Sequence, residues 1–104
     1  MDWKTPESKN LVEAVLSLES PDEARRFLRD LMTKGEIDEL SRRLAAAEML
    51  SRKVPYTAIE KEIGFSSTTV ARVARWLNRG NGGYKSVIAK LYHHDPHRTG
   101  RGLS

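Results

Sequence analysis

The stretch IEKEIGFSSTTVARVARWL, residues 59–77, places one glycine between two runs that are apolar at helical spacing, and four small hydroxyl residues open the second run. No other feature limits the fold as closely. Ile59 and Ile63 share one face of a helix expected from about residue 56 to 63, and Val70 and Val73 share the opposing face of a helix expected from about 67 to 79. The two faces should pack on each other. Gly64 falls where the first helix must stop in a left-handed conformation, which costs a residue with a Cβ about 1–2 kcal/mol. Phe65 is expected to plug the corner and Ser66 to cap the second helix. Two helices crossing steeply through a three- or four-residue turn form a helix-turn-helix, here at about residues 56–79.

Such a motif enters the major groove of DNA with the N-terminal end of its second helix, where bulky side chains would hold the backbone away and free amides favour phosphate oxygens. Short hydroxyl residues suit that end. The expected DNA-binding residues are therefore Thr57, Ser66, Ser67, Thr68 and Thr69 at the approach, with Arg72, Arg75 and Arg79 further along the exposed flank. Arginine reads guanine through two acceptors at once. The charge distribution agrees: residues 1–65 hold 11 Lys+Arg against 13 Asp+Glu, whereas residues 66–104 hold 7 against the single Asp95. Positive charge begins where the second run begins, a usual footprint of a nucleic-acid-binding surface.

The rest of the chain reads as helix. Thr5-Pro6 and Ser20-Pro21 are helix starts, with Glu23 placed to complete a capping box. Leu11, Val12, Val15, Leu16 and Leu18 form one apolar face, and Phe27, Leu28, Leu31 and Met32 form the next. A third helix is expected from about Gly35 to Lys53 on Ile37, Leu40, Leu44, Ala47 and Leu50, ending before Pro55. NRGNGG at 78–83 is expected to turn into a last short helix on Tyr84, Val87, Ile88 and Leu91. No segment alternates long enough for a strand. The expectation is an all-α chain of about six helices, a single domain over residues 1–92, and a flexible basic tail over 93–104. With 38% apolar residues in 104, its core would be thin, and a partner subunit could supply what is missing.

Several function classes are disfavoured. No cysteine is present, so disulfide and thiolate chemistry are excluded, and no apolar run approaches a membrane span, which points to a cytoplasmic protein with no membrane partner. His93, His94 and His97 are metal ligands in type, but they sit in a glycine- and proline-containing tail with no supporting shell, and no metal or other cofactor is expected. An enzyme would need a nucleophile with its base or paired carboxylates. Glu36, Asp38 and Glu39 read instead as negative charges near a helix start, so no catalytic residue is assigned. The competing class is an adaptor, or a protein that binds DNA without sequence preference.

AIEKEIGFSSTTVARVARWLNRGNGGYKSVIAKL, preceded by EIDELSRRLAAAEML, resembles the Trp-repressor-like proteins and particularly their YerC/YecD branch, over about residues 10–92. The most specific part is LNRGNGGYK, Leu77 to Lys85, which a generic helix-turn-helix does not require. The resemblance implies six helices, an intertwined homodimer that binds double-stranded DNA, and a bacterial transcriptional regulator, a repressor by analogy. It also implies a ligand site between two arginines, of which Arg72 matches one and Arg42 or Arg43 the other. Val73 stands where the Trp repressor has a glycine, and Trp76 where it has a small serine. Both add bulk where the corepressor's indole would lie, so tryptophan is not the expected effector, and any other effector is left open.

Overall fold

The computed structural model describes residues 1–93 and contains, among them, six α-helices and no strand. These are α1 (Pro6–Ser17), α2 (Pro21–Leu31), α3 (Lys34–Ser51), α4 (Tyr56–Ile63), α5 (Ser67–Arg79) and α6 (Gly83–Ile88), the last continued by a wider π-helical turn, Ala89–His93. The all-α reading and the bounds of α4 and α5 agree with the sequence. The tail residues His94, Asp95, His97, Arg98 and Arg101 lie outside the described residues.

Local hydrogen bonds explain where the helices begin. Ser8 N–H donates to Thr5 Oγ1 at 3.2 Å and Glu23 N–H to Ser20 Oγ at 3.1 Å, each ahead of a proline in the first turn. The Glu23 carboxylate accepts from the Glu19 amide at 3.0 Å, one residue before the position a capping box would use. A reciprocal box forms instead at Thr33: its hydroxyl accepts from Glu36 N–H at 3.1 Å, and the Glu36 carboxylate accepts from Thr33 N–H at 2.9 Å. That box starts α3 at Lys34, one residue before the expected Gly35.

The other end of α3 also differs from expectation. The helix closes at Ser51, not Lys53, because Lys53 turns into the left-handed region at φ 68° while Val54 N–H reaches back to Met49 O at 3.1 Å. Gly64 takes the same region at φ 87°, as its position in the sequence requires. The glycine-rich turn shortens to residues 80–82, since Arg79 ends α5 and Gly83 begins α6. Gly80 is needed there for space: a Cβ on it would collide with the Trp76 carbonyl oxygen.

By its own contacts the chain groups into two compact units, Met1–Asp38 and the part from Glu39 onward, and the division falls within α3. The second unit holds the whole buried apolar cluster of the described residues: Ala46, Ala47 and Met49 of α3, Ile59 of α4, Phe65, Val70, Val73 and Leu77 of α5, and Ile88 of α6. Leu44, Leu50, Val54, Ile63 and Tyr84 pack partly buried against it. Of the face expected for α3, Ala47, Leu44 and Leu50 meet the core, while Leu40 does not and Ala46 and Met49 join instead. Ala46, Ala47 and Met49 are buried, Ile37 is half-buried, and Leu40 is exposed. In the first unit no apolar side chain is buried, and Leu11, Val12, Val15, Leu16 and Leu31 are open to solvent.

The two left-handed positions should respond oppositely to substitution. Gly64→Ala should destabilise the protein by about 1–2 kcal/mol, and Lys53→Gly should stabilise it by up to about 1 kcal/mol as the strain at a Cβ-bearing residue is released. Urea unfolding of both variants at constant protein concentration measures the pair; changes of the same sign would contradict the assigned backbone.

Candidate nucleic-acid interface

The corner between α4 and α5 is built from side chains that have no other place to go. Ile59, Val70 and Val73 are fully buried and Phe65 nearly so. Because Val70, Val73, Ala74 and Leu77 take the inner side of α5, the positions i, i+4, i+7 and i+11 from Thr68 must face outward. Those are Thr68, Arg72, Arg75 and Arg79, all exposed. The helix carries no acidic residue, and no hydrogen bond or ion pair engages the three arginine side chains among the described residues.

The hydroxyl residues at its start divide into two roles. Ser66 is the N-cap: its Oγ accepts from Thr69 N–H at 3.2 Å and lies 3.0 Å from Thr69 Oγ1. Ser67 and Thr68 are exposed and make no such contact, as is Thr57 in the first turn of α4. Two residues absent from the sequence reading join this surface. Tyr56 and Asn78 line a shallow hollow of about 290 Å³ with Ala71, Ala74, Arg75 and Arg79. Asn78 lies three residues beyond Arg75, a spacing that could have suggested it.

Of the residues matched to a ligand clamp, the structure distinguishes the two α3 arginines. Arg42 is exposed, whereas Arg43 is half-buried, with its guanidinium 5.3 Å from the centroid of the Trp76 ring and its Nε 3.3 Å from Glu39 Oε2. Arg72 remains on the outer stripe, and Val73 belongs to the core. Beside Trp76, a cleft of about 470 Å³ is lined by Leu44, Gly80, Asn81, Gly83, Tyr84 and Val87. Burial pushes the Tyr84 hydroxyl above the usual tyrosine range, and the nearby charge of Arg43 pulls it the other way. Among the described residues no cluster of His, Asp and Glu could hold a metal ion, and no helix is long and apolar enough to cross a membrane.

Comparison with known proteins agrees with this geometry. Residues 7–92 match the Trp repressor protein family. The uncharacterised protein YerC of Bacillus subtilis is 40% identical over 85 residues, 82% of each chain. A TrpR-like protein of Eubacterium eligens superposes with a TM-score of 0.83 at 41% identity, covering 88% of this chain and 94% of that one. A Staphylococcus aureus structure described as a candidate Trp repressor gives 0.81 at 35% identity, with the same coverage. The fold is thus that of a DNA-binding regulator carrying a helix-turn-helix, and the chain belongs to the Trp repressor protein family, in its YerC-like branch.

Proposed function

We propose that the protein is a sequence-specific DNA-binding transcriptional regulator, a repressor on the family likeness, that acts as a homodimer and needs no tryptophan. The observation that carries this reading is the outer stripe of α5, Thr68, Arg72, Arg75 and Arg79, positive, unpaired and fixed in direction by the buried side of the same helix. Thr57, Ser67 and Thr68 would meet the duplex first, with Ser66 and Thr69 beside them at the helix start that Ser66 caps. Arg72 and Arg75 would reach base edges.

The open apolar face of α1 and α2 supports the dimer. Full burial of a Leu or Val contributes about 1.5–3 kcal/mol, and short helices that bury no face are marginal in water. An isologous interface with a second copy would cover that apolar face on both chains at once. Light scattering at micromolar concentration should report a dimer, and a stable monomer there would remove the basis for two-half-site binding.

Arg72→Ala should weaken binding to a preferred duplex by about 1–3 kcal/mol and relax its sequence preference while leaving a scrambled duplex little changed. Both duplexes, measured at several salt concentrations, decide the matter. Equal losses on the two would assign Arg72 to the phosphate backbone, and a wild-type protein with no preference at all would favour the adaptor or nonspecific reading. L-Tryptophan should change neither the melting temperature nor the DNA affinity, since only a ligand that prefers one state can shift either. Saturable micromolar binding in a calorimetric titration would overturn that expectation.

A further inference from the structure

Three elements of the second unit meet at one guanidinium. Arg43 projects from α3, lies over the Trp76 ring of α5 with its guanidinium 5.3 Å from the centroid, pairs with Glu39 one turn back on its own helix at 3.3 Å, and lies close enough to Tyr84 of α6 to act on its hydroxyl. The cluster that joins α3 to α5 is apolar, made of Ala46, Ala47 and Met49 with Val70, Val73 and Leu77. Such contacts are non-directional, and small alanine side chains do little to oppose rotation of one helix against another. A cation held over a ring face is directional, and it is strongest where part of the water has been removed, as it is here with the Arg43 side chain 36% and Trp76 39% exposed. Trp76 stands one helical turn from both Arg72 and Arg79. Any rotation of α5 that carries Trp76 out from beneath Arg43 therefore turns the arginine stripe with it.

We infer that Arg43 is a positioning residue that acts through Trp76: it holds the C-terminal half of α5 against α3 from within the chain, so that the arginine stripe keeps its DNA-reading orientation without a small-molecule effector. This rests on the DNA-binding reading above. The role asks for no contact between Arg43 and DNA, because its charge is engaged by Glu39 and by the Trp76 ring.

The test compares the full-length wild type with Arg43→Gln, Arg43→Lys, Trp76→Leu and the Arg43→Gln/Trp76→Leu double variant. Each is titrated with a preferred and a scrambled duplex at several salt concentrations and unfolded in urea. Arg43→Gln and Trp76→Leu should each lose about threefold to thirtyfold in affinity for the preferred duplex, with little loss on the scrambled one and the wild-type salt slope. The double variant should lose no more than the worse single one, because both remove the same contact. Arg43→Lys, which keeps the charge but not the broad guanidinium and its Nε donor to Glu39, should not restore full affinity. Full restoration by lysine, with a shallower salt slope for Arg43→Gln, would make Arg43 a phosphate contact and overturn the inference. Losses that add in the double variant, or variants that fall in urea stability while keeping the wild-type preference between duplexes, would overturn it as well. If the wild type itself shows no preference, the proposed function fails and the positioning role with it; if it does and the pair is uncoupled, the positioning role fails alone.

Discussion

The direction of every exposed side chain on α5 depends on the burial of Ile59 against Val70 and Val73 across the Gly64 corner. A helix of 13 residues has no preferred rotation of its own, and the side it buries decides the side it shows. Two valines in the core leave Arg72, Arg75 and Arg79 no inward option. The corner holds because each local choice agrees with the packing: glycine where φ is positive, Phe65 in the angle, and Ser66 closing the amides of the next helix.

The N-terminal third follows a different rule. Its helices are capped as firmly as those of the motif, with a proline and a hydroxyl at each start, yet they bury no apolar side chain within the chain. Capping contributes about 1 kcal/mol per helix, too little to hold short amphipathic helices in water without a surface to cover them. Local signals therefore set the form of α1 and α2, while their apolar faces stay largely open.

That contrast accounts for what could be read from the sequence. Gly64, Ser66 and the valine spacing act within a few residues, and the bounds of α4 and α5 were legible from them. So was the outward direction of Arg72 and Arg75. The start of α3 was present in the order Thr33, Lys34, Gly35, Glu36, but a glycine beside the cap obscured a box that the hydrogen bonds make plain. Its end was obscured for the opposite reason, since Lys53 occupies a conformation that favours glycine. Which face of α3 is buried depends on a partner helix far away in sequence. Spacing within α3 therefore favoured Leu40 where the core takes Ala46 and Met49. Which of Arg42 and Arg43 lies over Trp76 is the same problem: one step of about 100° separates them, and spacing within α3 does not say which one meets α5.

Two sets of arginines among the described residues differ in their surroundings. Arg26, Arg43 and Arg52 each have a carboxylate four residues back on the same helix, at 3.0, 3.3 and 2.7 Å, and so carry little free charge to a distant phosphate. Arg72, Arg75 and Arg79 stand on a helix without a single acid. Exposed i, i+4 pairs contribute only a few tenths of a kcal/mol to stability, so their main consequence here is electrostatic sorting. They mute part of the positive charge of α2 and α3, whereas α5, whose direction the Gly64 corner has already set, carries no acid to mute its own.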